Sequence, residues 1–471
     1  MIVPRYQQRT IYEGIYRTLI PDQKQLLWEQ WLLKIDALLD DETLVSLVQD
    51  ALGTRHPHSR TRGRKGTPAE VVLRLLVLKH LQNWSYATLE REVRANLIYR
   101  DFTWIGGEAV PDAKTMVRLG QVLGPTGTRQ LHARIVQAAR EERVITGRKM
   151  RLDTTVVETN IHYPTDSSLL GDGARVLTRT MQQIQAAVGH VGTAVRNRLR
   201  SVAHRLIEIG RASRGQGEAA LARQREGYQK LMAVTQRVLG QAKRVAHEVR
   251  QGITRAATLP GQLLVEALAQ QLEDVSALTR RVLAQTTARV FEGNSHFPNK
   301  VLSLFETATE AIRKGKAAKP TEFGKWVKIQ EAERQVITDY DVFAERPADQ
   351  EVLLPAITKH KGIFSRAPEL VAGDAGFFSA ENEAQATAAG VQKVAIPNKQ
   401  TRSPARWAWQ RQRWFKRAQR WRVGCEGRIS VLKRRHGLFR CRYKGSAGME
   451  RWVGFGVIAN NLLAIARATT K

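Results

Sequence analysis

Three acidic residues, far apart along the chain, sit where a carboxylate needs a partner. Asp153 interrupts the run MRLDTTVV, which is otherwise largely apolar and β-branched. Such a run reads as a strand, and a carboxylate within it is costly unless it is paired or bound to a cation. Alternation puts Asp153, Thr155 and Val157 on one face and Thr154, Val156 and Glu158 on the other, so Glu158 is the poorer ligand. Asp374 follows a short apolar strand in LVAGDAGFF, at the kind of strand end where functional groups emerge in open α/β sheets. Glu426 is the only acid between Asn398 and Lys444, a stretch that holds sixteen Lys and Arg. On a helix, Gln419, Arg422, Glu426 and Lys433 share one face, which presents a single carboxylate flanked by cations.

Hard carboxylate oxygens suit magnesium. Phosphodiester cleavage and strand joining use two divalent cations, one activating the attacking oxygen and one stabilising the leaving oxygen. Three acids converging from separate parts of a chain would supply such a site. Each acid also has a plainer reading: a strand salt bridge for Asp153, a turn role for Asp374, and pairing of Glu426 with Arg422 one helical turn earlier. Order and context together carry the argument.

The elements that must position these residues follow from pattern. Residues 1–52 read as short N-terminal helices, including LLWEQWLLKIDALL, and 53–67 as a basic Gly-containing linker. Residues 68–140 read as a helical domain of the helix-turn-helix kind, with Ser85 capping YATLEREVRANL and Asp112 capping AKTMVRLGQVL. Residues 167–319 read as a helical insertion and connection, rich in Ala, Arg, Gln, Leu and Val, whose plain role is a bundle or coiled coil. β character returns after 320: a hairpin of WVKIQEA and RQVITDYDVF, a helix, the Asp374 strand, a helix between Ser379 and Gly390, and the strand VQKVAIPN. A long helix over 402–436 and a closing apolar helix complete the chain. The expected fold is therefore α/β, a mixed sheet with helices built from 148–166 and 320–471 and split by the all-α insertion. No internal repeat is evident.

The 471 residues carry 75 Lys and Arg against 44 acids, a net charge of +31. Folding alone does not require that excess, and nucleic acid is the polyanion that best offsets it. Cys425 and Cys441 have no metal-ligand spacing, so a zinc site or disulfide framework is not expected. No run approaches the ~18 apolar residues of a membrane span, and MIVPRYQQRT lacks an export pattern, so the cytoplasm is the expected location. Trp407, Trp409, Trp414 and Trp421 are interleaved with Arg and offer either base stacking or, for Trp414 and Trp421, packing against the sheet.

The blocks MRLDTTVVETN, LVAGDAGFF and RVGCEGRISVLK, the last of the form R-x3-E-x6-K, resemble bacterial insertion-sequence DDE transposases with a ribonuclease H-like catalytic domain. Residues 68–162 and about 320–465 share in the resemblance, the first block resembling the N-terminal helical domain implied to bind the element's ends. The resemblance implies catalytic and metal-ligating roles for Asp153, Asp374 and Glu426, with Mg²⁺ or Mn²⁺, two ions, as cofactor. It implies DNA hydrolysis followed by attack of the freed 3′-hydroxyl on target DNA, in a bacterial, nucleoid-associated setting. Arg422 and Lys433 match cations implied to contact end phosphates, and Arg428, Arg434 and Arg435 extend the expected DNA-binding set. The expected partner is double-stranded DNA, as transposon ends and target, with a homodimer formed on it. Two positions depart from the group: Gln419 stands where Tyr is common, and the long interval lies between Asp153 and Asp374 rather than after Asp374. The competing readings are an inactive DNA-binding derivative and a scaffold built on the inserted helices.

Overall fold

A computed structural model gives the fold, and it describes residues 1–5, 28–63, 66–189, 192–313 and 320–469. Parts of the expected N-terminal helices, of the 53–67 linker and of the 167–319 insertion and connection lie outside the described residues. The chain divides into two units, one of Met1–Asn160 with Ile312–Lys471 and one of Ile161–Ala311.

The first unit begins with helices whose ends are set by side-chain caps. After α1 (Gln30–Leu39), Asp41 accepts from the Leu44 N–H at 3.0 Å and starts α2 (Glu42–Gly53). Every residue of α3 (Ala69–Leu81) is buried, including Arg74, which pairs with Asp36 at 2.5 Å and Glu70 at 3.2 Å. Ser85 caps α4 (Tyr86–Ala95) as expected, but this helix stops short of the expected Leu97, where Asn96 caps a separate α5 (Leu97–Phe102). Asp112 caps α6 (Ala113–Glu141), which bends where Gly124 takes φ 60° ahead of Pro125.

The chain then enters β1 (Lys149–Glu158) and leaves for the second unit, which is all helix: α7 (Asp166–Val188), α8 (Leu199–Ala212), α9 (Glu218–Arg250) and α10 (Leu259–Val290). Their apolar faces, with Leu177, Leu231, Val238, Val245, Leu272 and Val282 at or near zero exposure, form one core. Thr165 and Thr258 cap α7 and α10. By compactness this helical unit runs from 161 to 311, where the expected insertion and connection was 167–319.

β2 (Glu310–Arg313) returns the chain to the sheet, followed by β3 (Thr321–Glu331), a short 3₁₀ turn, β4 (Ile337–Val342), α11 (Asp349–Phe364), β5 (Leu370–Ala372), α12 (Ala380–Ala388) and β6 (Lys393–Ala395). The strand order is β2-β3-β1-β5-β6, with β4 also on β3. β4, β3 and β1 are antiparallel, with Asp153 opposite Ile329; β1, β5 and β6 are parallel, with Arg151 opposite Ala372. Met150 and Leu152 of β1 pack with α11 residues Leu353 and Ile357, so the odd-numbered residues of that stretch face the other side.

That other side is covered by the C-terminal helices. The helix expected over 402–436 breaks at Gln412, whose ψ of 146° is extended, giving α13 (Pro404–Arg411) and α14 (Arg413–Arg435). α15 (Gly445–Thr469) is buried along most of its length. Its Phe455, Ile458, Leu462 and Leu463 join the core of the N-terminal helices. Its Trp452, Val453 and Val457 join a core with Val157, Val327 and Ile329 of the sheet. A helix that must be covered on both sides explains why the N-terminal helices, expected as a separate domain, belong to one unit with the sheet. Among the described residues no helix is long and apolar enough to cross a membrane.

Candidate active site

β1 brings Arg151 and Asp153 to its α14 face at alternate positions. Arg151 pairs with the fully buried Glu331 of β3 at 2.7 Å, lies 4.8 Å from the Trp421 ring centre, and donates to the Trp421 carbonyl. A Cβ at Gly424 would lie 2.5 Å from Arg151 Nη1, so this turn of α14 takes a glycine where the guanidinium passes. Cys425 is buried beside it; burial pushes its thiol well above the usual range, with Glu331 and Asp153 adding to the rise. Arg151 and Glu331 are the positioning residues that sequence reasoning missed. The alternation used for Asp153 applies equally two residues earlier, but nothing in the sequence announces Glu331 as its partner.

Asp153 is mostly buried, with 15% of its side chain exposed, and accepts from the Thr154 N–H at 2.8 Å. Burial raises its carboxyl from the ordinary 3.8 to about 6, and the charges of Asp374 and Glu426 push in the same direction against Thr154 N–H and Arg422. Asp374 and Glu426 therefore each lie within electrostatic reach of Asp153.

Asp374 follows β5 and opens a 3₁₀ turn, its carboxylate accepting from the Gly376 N–H at 2.9 Å. A Cβ at Gly376 would stand 2.9 Å from an oxygen of Asp349 and 3.2 Å from one of Asp374, which puts a fourth acid close by. Gln419, the position where the group commonly has Tyr, donates to the carbonyls of Gly373, at 3.2 Å, and Ala395. It thereby ties α14 to the ends of β5 and β6, beside Asp374.

Glu426 lies on the exposed side of α14, with 57% of its side chain in solvent, and pairs with Arg422 at 2.8 Å. Arg422 also reaches Asp153 at 3.9 Å, so one guanidinium spans two of the three acids. Among the described residues no group of three or more His, Cys, Asp or Glu side chains is arranged to hold a metal ion. The donors are hard oxygens and mutually repulsive, which is the chemistry a divalent cation would relieve, while Arg422 supplies the positive charge present.

The expected DNA contacts divide. Arg434 and Arg435 are exposed at the end of α14, and Lys433 is half-buried. Arg428, expected in the same set, turns inward: it is buried, bonds Asn460 at 2.9 Å and Gln335, and lies 3.4 Å from Glu331. The buried Glu331 carboxylate requires this compensating charge, which takes Arg428 out of the surface set. Trp414 and Trp421 pack against Ala372, Ala395, Phe415 and Ala418, as the packing reading expected. Glu158 is occupied with Arg440 at 3.2 Å, away from the acids. Both cysteines are buried.

Comparison with known proteins gives two family matches. Residues 20–121 match a Transposase domain (DUF772), and residues 383–466 match a Transposase DDE domain. The second stretch includes Glu426 and the whole of α14 and lies C-terminal to Asp153 and Asp374. No curated protein and no solved structure matches the chain.

Proposed function

We propose, on the premise that the two matches support an insertion-sequence DDE transposase, that this chain cuts and joins DNA strands with Asp153, Asp374 and Glu426 as the acids of its active site. The observation that carries the reading is Asp153, a carboxyl that burial raises to about 6, with the charges of Asp374 and Glu426 near enough to add to the rise. The antiparallel β4-β3-β1 set followed by parallel β5 and β6 supports the ribonuclease H-like reading of the sheet.

Mg²⁺ or Mn²⁺, two ions in this reading, would be held by those acids and would supply charge stabilisation at the scissile phosphate. The remaining roles belong to the protein. Arg151 and Gln419 fix α14 over the strand ends. Arg422 neutralises Asp153 and Glu426 and competes for them with any cation. Lys433, Arg434 and Arg435 engage phosphates of double-stranded DNA, both element ends and target, in a homodimer acting at the bacterial nucleoid.

A second reading has one observation in its favour. Glu426 is committed to Arg422 and the ligand set is not closed, which suits an inactive DNA binder derived from a transposase. The discriminating experiment incubates DNA carrying the element's own ends with the protein and Mg²⁺ or Mn²⁺, and compares Glu426→Gln. Cation-dependent cleavage lost in the variant supports the enzyme; binding without cleavage by the unaltered chain supports the binder.

A further inference from the structure

α13 is an eight-residue helix in which no residue is buried. Its two indoles stand in solvent, Trp407 at 44% exposure and Trp409 at 40%. Large aromatic side chains on a surface helix normally turn toward the core, as Trp414 and Trp421 do one helix later.

The helix is nevertheless held in place. Ser403 caps it, accepting from the Arg406 N–H at 3.3 Å. Arg406 pairs with Glu383 of α12 at 2.7 Å and donates to the Ile396 carbonyl at 3.0 Å, while Gln410 accepts from the Asn398 N–H at 2.6 Å. Trp409 meets the ring of Trp414 edge-on at 5.2 Å, and the Arg411 guanidinium lies 5.9 Å from the Trp407 ring. Indoles fixed in this way are presented without a large ordering cost on binding.

The surroundings select the occupant by charge. From Lys399 to Arg422 there are nine Lys and Arg and no acid. Fixed aromatic faces set among cations are the chemistry that binds unpaired bases while their phosphates are neutralised. A paired duplex keeps its base faces stacked and hidden. α13 also stands between β6 and α14, the element bearing Glu426.

We infer that Trp407 and Trp409 form a stacking platform for unpaired bases of a DNA strand engaged by this chain. The inference rests on the DNA-acting reading above and adds to it a preference for a strand with exposed bases.

The test uses the full-length protein in EDTA, so that binding is read apart from cleavage. A short labelled DNA oligonucleotide of mixed sequence is titrated by fluorescence anisotropy, single-stranded and as a blunt duplex. Trp407→Ala should weaken single-strand binding roughly tenfold and change duplex binding by less than about twofold. Trp407→Phe should retain most of the affinity, because it keeps a π-face. No loss on the single strand, or an equal loss on both probes, overturns the platform. A change of oligomeric state in Trp407→Ala with unchanged single-strand affinity also overturns it and assigns the surface to a second copy. A platform confirmed in EDTA stands even if the unaltered protein never cleaves, so its fate and that of the catalytic reading separate.

Discussion

Replacing Arg151 by Met tests the positioning of α14 over the sheet. The Glu331 side chain has no solvent exposure and two cationic neighbours, Arg151 at 2.7 Å and Arg428 at 3.4 Å. Removing one partner of a buried pair costs about 3–5 kcal/mol, because the remaining charge is left without compensation. Arg428 retains part of that compensation, which sets the expectation at the lower end, about 3 kcal/mol. Met fills most of the volume of the Arg stem, so a cavity contributes little. Urea unfolding followed by tryptophan fluorescence reads the right unit, because all ten tryptophans fall outside residues 161–311. A single variant within about 1 kcal/mol of the parent would refute the buried-charge argument.

Asp374→Asn should abolish cation-dependent cleavage of end-bearing DNA while leaving binding within about twofold, checked by gel cleavage and anisotropy; undiminished cleavage would remove Asp374 from the site. The Arg434→Ala/Arg435→Ala pair should lower the slope of log affinity against log salt by about 1.8, and an unchanged slope would end their phosphate role. Asp153 gives a pH prediction. With the folded carboxyl at about 6 against an ordinary 3.8, the folded state binds the extra proton across that window, so its stability falls as pH rises from 3.8 to about 6. Asp153→Asn should flatten that part of the urea-midpoint profile, and a profile unchanged by the substitution would count against the raised value. Mg²⁺ affinity measured by calorimetry should weaken below about pH 6, where proton and cation compete for the same oxygens.

Local signals in the sequence carried much of the fold. Ser85, Asp112 and Ser379 cap helices where a side-chain oxygen precedes an apolar periodicity, and the hairpin of β3 and β4 follows from two β-rich runs around a polar break. What escaped was decided by tertiary contact. The union of the N-terminal helices with the sheet depends on α15 being buried on two sides, and pattern reports only that it is apolar. Arg428 looked like one more surface cation in a basic helix, and only the buried Glu331 across the sheet explains its inward turn. The proposed acids Asp153, Asp374 and Glu426 stood out in the sequence because carboxylates in apolar or cationic surroundings are anomalous. The ion pair of Glu426 with Arg422 was legible as a plain alternative from helical spacing, and the structure contains it.

The insertion between β1 and β3 has a consequence for synthesis. Asp153 leaves the ribosome early, but Ile329, its pairing partner in the sheet, follows only after the whole helical unit has been made, and Glu426 later still. Long-range pairing of this kind forms late. A truncated product or a nascent chain thus carries the helical unit and a β1 without the β3 partner it pairs with, and under the proposed function it would lack Asp374 and Glu426 as well.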